Sequence, residues 1–224
     1  MPSASCCWSS RMSELTLIIG NKNYSSWSLR AWIALKQTGK LFKEIRIPIH
    51  QETSLPEILK YSPSGRVPCL IDGDVTVWES LAICEYLAER FPKAKLWPQD
   101  PKARAYARAI SHEMHAGFQA MRKYLPMDCR ADFPAKELIL EVTEDVNRIT
   151  EIWKKCRSQF TQKSPFLFGD FTIADAMYAP VVIRFRTYHV PVDAISQTYM
   201  DSIFSLPALQ EWLRSAAQEV EIIA

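Results

Sequence analysis

With 224 residues, the chain has room for one large domain or two small ones sharing an interface. Its composition, 48% hydrophobic and 23% charged, is that of a folded globular protein rather than a disordered or fibrous one. A net charge of +2 gives no reason to expect nucleic acid or an anionic membrane as a partner, and no apolar run approaches the roughly 20 residues of a membrane-spanning helix.

Residues 1–13 read as a loose extension. They are small and polar and lack the apolar core of a secretory signal; Met12 is an alternative start, and Arg11 with the serines allows a weak transit-peptide reading. Leu15 to Ile19 is a strand-like run, and a helix follows from about Ser26 to Lys40, with Leu29, Trp32, Ile33 and Lys36 on one face. Ile45, Ile47 and Ile49 alternate with Arg46 and Pro48 as a second strand. Ser54-Leu55-Pro56-Glu57 has the form of a capping box opening a short helix. Val67 to Ile71 and Val75 to Trp78 flank Asp72-Gly73-Asp74, a hairpin signal, and Leu81 to Phe91 is a helix stopped before Pro92. The order βαβαββα defines a first domain over 14–94, a mixed sheet with helical cover.

Leu96 to Gln99 reads as part of a linker over 95–99, and residues 100–224 as an all-α domain. Asp100-Pro101 opens a long helix whose stripe runs through Ala103, Ala107, Ile110, Met114, Gly117 and Met121, ending at Pro126. A second stripe comprises Leu138, Val142, Val146, Ile149, Trp153 and Cys156. Thr172 to Asp175 opens a third helix that contains Pro180, and Ser205 to Arg214 forms a last one. Cys6, Cys7, Cys69, Cys84, Cys129 and Cys156 show neither zinc nor disulfide spacing, and the four histidines are dispersed, so no metal is expected.

Four ordered motifs stand on these elements: Tyr24-Ser25-Ser26-Trp27-Ser28-Leu29-Arg30, Ser62 to Pro68, Trp78 to Ile83, and Phe166 to Gly169 followed by Thr172-x-x-Asp175. With the element order, they resemble the cytosolic glutathione S-transferases over about residues 14 to 215. The first motif is similar to the serine motif of the zeta and tau classes, and Gly20 to Trp32 and Glu113 to Arg130 to bacterial zeta-like members. The resemblance implies a thioredoxin-like domain followed by a helical bundle, glutathione as co-substrate, a small electrophile as second substrate, no metal, a homodimer and a cytoplasmic location.

By the same resemblance, Ser25 is the catalytic serine, with Ser26 as runner-up. A hydroxyl at a helix opening, aided by the helix N-terminus, suits thiolate stabilisation, because only the thiolate of a thiol is a strong nucleophile. Serine at that position also serves as a plain N-cap. Val67-Pro68 is expected to be cis, with Val67 pairing with the cysteinyl part of glutathione; Glu79 and Ser80 take the γ-glutamyl end, where a helix N-terminus suits a carboxylate. Arg66 reads equally as a partner for the glycyl carboxylate or as a solvated loop arginine, while His50 to Thr53 offers no counterpart to the loop contact of other members. Tyr24, Trp27, Met114, His115 and Phe118 are candidates for the electrophile pocket; on a helical stripe such residues also serve as core. Trp27 stands where zeta and tau members carry cysteine or phenylalanine, which argues against maleylacetoacetate isomerisation. Thr172 and Asp175 read as a structural cap.

Three activities share this pattern: conjugation, glutathione-dependent isomerisation or peroxide reduction, and non-catalytic binding of glutathione or a partner protein. A thiol–disulfide role is disfavoured because no cysteine opens the first helix and Cys69 follows Pro68.

Overall fold

The computed structural model describes residues 14–160 and 164–223. The expected extension over 1–13, with Cys6, Cys7 and Met12, lies outside the described residues.

The first part of the chain runs β1 (Leu15–Ile19), α1 (Ser26–Gln37), β2 (Phe42–Arg46), α2 (Ser54–Leu59), β3 (Cys69–Asp72), β4 (Val75–Trp78) and α3 (Ser80–Arg90), the expected βαβαββα order. The sheet order is β2-β1-β3-β4, with β1 parallel to β2 and the other pairs antiparallel. Alternation along β1 sends its side chains to two cores. Leu15, Leu17 and Ile19 meet Leu29, Ile33 and Leu81 of α1 and α3, while Ile18 joins Ile47, Ile58 and Cys69 under α2.

The second part is helical: α4 (Pro101–Ala116), α5 (Gln119–Tyr124), α6 (Leu140–Phe160), α7 (Ile173–Thr187), α8 (Ala194–Phe204) and α9 (Pro207–Ala217). Helix α7 is buried along nearly its whole length and is the central pillar. It packs against α1 on one side and α4 and α8 on others. Thr172 and Asp175 form a capping box at its start. The Asp175 carboxylate also accepts from Leu167 N at 3.1 Å and Tyr199 Oη at 3.2 Å. The segment joining the two parts is packed: Ile173 N donates to Leu96 O at 2.8 Å, and Trp97 Nε1 to Glu85 at 2.8 Å.

Four local expectations are corrected. The second strand ends at Arg46, since Pro48 has no N–H to extend the ladder; the last bond runs from Ile47 N to Ile19 O. Helix α2 is capped at Thr53, and Ser54 Oγ instead donates to Pro48 O and accepts from Gln51 N. The long fourth helix breaks at Gly117, where Phe118 turns left-handed at φ +60° and Arg122 folds back to donate to Gly117 O and Met114 O. The last helix, expected over Ser205 to Arg214, is α9, opened by Pro207, and an unexpected helix α8 precedes it, capped by Asp193 through Ile195 N and Ser196 N.

Candidate active site

The loop from Gly20 to Ser25 is fastened from several sides. A Cβ on Gly20 would sit 2.9 Å from Ile49 Cγ2 and 3.1 Å from Ser25 Cβ, so the close approach requires glycine. Asn21 O accepts from Ser25 N at 2.8 Å and Asn21 Oδ1 from Ile49 N at 2.8 Å. Both carboxylate oxygens of buried Glu219 cap the loop, accepting from Lys22 N at 2.6 Å and Asn23 N at 3.0 Å. Asn23 is held by Asp128 and by Arg130 N. Out of this loop Ser25 emerges as the N-cap of α1. It is 5% exposed; its Oγ accepts from Ser28 N and donates to Ser28 Oγ at 2.7 Å. Ser26 is also buried, and its Oγ accepts from Arg184 Nη2 at 3.2 Å.

Beside the start of α1 opens a cavity of about 240 Å³. One wall is the turn carrying Ser64, Arg66, Val67 and Pro68, with a cis bond between Val67 and Pro68. The paired strand begins only at Cys69, so the main chain of Val67 makes no hydrogen bond among the described residues. Arg66 is exposed and its guanidinium has no ion-pair partner among the described residues.

The opposite wall is the step from β4 into α3, where Glu79 stands at φ +69°. A left-handed glutamate costs on the order of 1 kcal/mol. The Ser80 hydroxyl is buried and no described residue hydrogen-bonds it. The first N–H groups of α3, without helical partners, lie in the same place.

Trp27 and His115 complete the lining, their rings edge-on at 5.2 Å. His115 Nε2 is 3.6 Å from Glu79 Oε2, and its Nδ1 is buried without a hydrogen-bond partner. Burial, followed by the nearby Arg30 charge, lowers the His115 pKa. Behind this wall lie three arginines. Fully buried Arg30 donates through Nε to Met177 O at 3.2 Å, and its Nη1 has no partner. Burial, then Arg122 and Arg184, holds its pKa well below the usual guanidinium range. Arg184 donates to Leu125 O at 2.6 Å and is pushed down to about 10 by burial and by Arg122.

The structure brings Arg66, Val67, Pro68, Glu79, Ser80, Trp27 and His115 to one cavity. Ser25 and Ser26, the N-cap and first residue of α1, do not line it; their hydroxyls are engaged with Ser28 and Arg184. Three expected pocket residues do not reach it. Met114 and Phe118 are core, on the face of α4 and at the break that turn inward. The Tyr24 hydroxyl accepts from Arg130 at 3.1 Å, toward the other side of the loop. A larger cleft of about 1030 Å³, between the 129–132 loop and helices α7 to α9, contains none of the motif residues. Among the described residues no three His, Cys, Asp or Glu side chains are grouped to hold a metal ion. The sequence reading missed Arg30, Arg122, Arg184 and Glu219. Only Arg30 stood in a motif, and nothing in its spacing announces burial.

Comparison with known proteins gives the same assignment from both ends. Residues 24–90 match the glutathione S-transferase N-terminal domain and residues 140–215 the C-terminal domain. The chain is 28% identical to a stringent starvation protein A homolog of Coxiella burnetii over 84% of its own length and 85% of that protein. It is 28% identical to a probable maleylacetoacetate isomerase of Caenorhabditis elegans, covering 79% and 84% of the two chains. A glutathione transferase homolog from Burkholderia, solved with bound glutathione, superposes with a TM-score of 0.71 at 22% identity, covering 92% of this chain and all of that one.

Proposed function

The chain belongs to the glutathione S-transferase family, and on that premise we propose that it binds glutathione in the cavity between Val67 and Ser80, activates the thiol through Ser25 and transfers it to a small electrophile. The observation that carries this reading is the Ser80 hydroxyl, buried and without a partner where the first N–H groups of α3 converge. That combination fits a carboxylate. The Glu79 carboxylate beside it fits the neighbouring ammonium, the unbonded Val67 main chain fits an extended cysteinyl unit, and Arg66 fits the glycyl carboxylate. No metal ligand is required by these contacts.

Ser25 accepts one N–H of the first turn and carries a hydroxyl proton that can rotate. Swung from Ser28 Oγ to a sulfur at the mouth of the helix, that proton stabilises the thiolate, with the α1 N-terminus adding partial positive charge. A depression of about one to two pKa units needs about 1.4 to 3 kcal/mol of preference for the thiolate, within reach of one charged hydrogen bond and a helix terminus. The two folding units, over 14–94 and 100–224, hold the site between them, and the family pattern extends to a homodimer.

Isomerisation at the same site is the second reading, motivated by the similarity to the Caenorhabditis elegans isomerase. The two readings differ in whether glutathione is consumed. The test of activation is an ultraviolet titration of bound glutathione in the parent and in Ser25→Ala. The expected result is a thiol pKa below that of free glutathione in the parent, restored toward the free value in the variant. Binding with an unshifted pKa would refute the activation.

A further inference from the structure

Trp27 sits two residues past Ser25, within the first turn of α1, and lines the cavity together with Val67, Pro68 and Ser80. Its indole N–H bonds to no group among the described residues. Two guanidinium groups lie over its ring, Arg30 with Cζ at 4.3 Å and Arg122 with Cζ at 4.8 Å from the centroid. Neither arginine hydrogen-bonds a carboxylate. Arg30 donates to Met177 O, and Arg122 to Gly117 O and Met114 O, all neutral acceptors.

Buried charge of one sign without a counter-charge is costly, and a fold that keeps it does so most readily where a ligand brings the opposite charge. Arg184 adds a third cation to the same core, hydrogen-bonded only to carbonyls and to the Ser26 hydroxyl. Two carboxylates act on this region without hydrogen-bonding a guanidinium of the cluster: Glu79, on the His115 side of the cavity, and Asp145, which acts on Arg122 through space while accepting from Met121 N. Cations over an aromatic face draw electron density toward themselves, which makes the ring edge a better hydrogen-bond donor.

Building on the glutathione reading above, we propose that the Trp27 indole N–H is a second donor to the glutathione thiolate, and that Arg30 and Arg122 strengthen it through the ring. Trp27 is then a catalytic residue, and the two arginines act through it. The sulfur receives one hydrogen bond from Ser25 Oγ and one from Trp27 Nε1, so neither alone accounts for the whole shift in thiol pKa.

The groups that face the sulfur position are Glu79, His115 and Arg66 on the cavity walls, with Arg30, Arg122 and Arg184 behind Trp27.

The experiment is the ultraviolet titration of bound glutathione in the parent, Trp27→Phe and Arg122→Met, each paired with the affinity for an analogue whose thiol is replaced by a methyl group. Trp27→Phe keeps an aromatic ring against the two guanidiniums and removes the N–H together with the second ring of the indole. The expected result is a thiol pKa about one unit higher in each variant, a tenfold loss of thiolate at a pH well below it, with affinity for the analogue within twofold. A depressed pKa in the parent that Trp27→Phe leaves unchanged, at normal analogue affinity, overturns the proposal and leaves the serine reading standing. A rise in Trp27→Phe with none in Arg122→Met overturns the part assigned to the arginines. An undepressed pKa in the parent overturns both this proposal and the reading on which it rests.

Discussion

Replacing Glu219 with alanine should unlatch the loop that presents Ser25. The Glu219 side chain is buried, and its two oxygens satisfy consecutive main-chain donors, Lys22 N at 2.6 Å and Asn23 N at 3.0 Å. Arg46 stands 3.7 Å away as its counter-charge. Without the carboxylate, both N–H groups remain in a buried loop, each at a cost of about 1 to 3 kcal/mol. Water entering the space and the relief of a buried charge offset part of that, which leaves a net loss of about 2 to 4 kcal/mol. Against a typical total of about 5 to 15 kcal/mol this is a large fraction. Glu219→Gln keeps one acceptor oxygen and should lose about half as much. Urea unfolding reads the difference as a lower midpoint at unchanged slope. Because Ser25 N hangs on Asn21 O within the same loop, Glu219→Ala should also raise the thiol pKa of bound glutathione. A Glu219→Ala protein within about 0.5 kcal/mol of the parent would show that the loop holds itself, and the argument would fail.

Three further outcomes are expected. Gly20→Ala drives a methyl group to within about 3 Å of Ile49 and Ser25, so it should cost about 1 to 3 kcal/mol by thermal melting and displace Ser25; a variant with unaltered melting and thiol pKa would refute the close fit. Glu79→Gly relieves the φ of +69° and should raise stability by a few tenths to 1 kcal/mol while weakening glutathione binding at least tenfold; a loss of stability on calorimetry would contradict it. Asp175 has its folded pKa raised to about 6, chiefly by burial, above an unfolded value near 3.8. The native state therefore binds more protons than the unfolded one between about pH 4 and 6, and this contribution, about 3 kcal/mol, is present below pH 4 and lost as pH rises through 6. Comparison of unfolding free energies with Asp175→Asn across that window isolates it, and parallel curves would refute it. Asp175→Ala should harm folding more than glutathione affinity.

The sheet was legible because β1 and the β3–β4 hairpin are short apolar runs that end at turn residues whose chemistry is local. The step at Glu79-Ser80 and the cap at Thr172-Asp175 were legible for the same reason, since each is built from neighbours in sequence. The break after α4 was not. Gly117 and Met121 continue the apolar stripe at helical spacing, and the left-handed turn at Phe118 is held by Arg122 reaching back to two carbonyls. Helix α8 carried a readable signal in the Asp193 cap, obscured by the Pro191 and Val192 that precede it. The site divides likewise. Its cavity walls come from short motifs, but the latch on the serine loop joins residues 197 apart, and the arginine cluster draws on α1, α5 and α7. Side chains that meet only through tertiary packing leave no period or spacing to read.

Arg184 separates what stabilises this fold from what serves the site. Holding its guanidinium in the core moves its pKa from 12.5 to about 10, which corresponds to a cost of about 3 kcal/mol for the charged form. Its bonds to Leu125 O at 2.6 Å and Ser26 Oγ at 3.2 Å return a comparable amount, about 1.5 to 3 kcal/mol in total. The two terms nearly cancel, so Arg184→Met, similar in length and apolar, should fall within about 1 kcal/mol of the parent in urea unfolding. Its effect should appear instead at the sulfur, as a higher thiol pKa of bound glutathione, because Ser26 loses its charged donor and the cavity loses one of three cations behind Trp27. A loss of 3 kcal/mol or more with an unchanged thiol pKa would reverse this assignment and make Arg184 a structural tie between α7, α1 and the turn after α5.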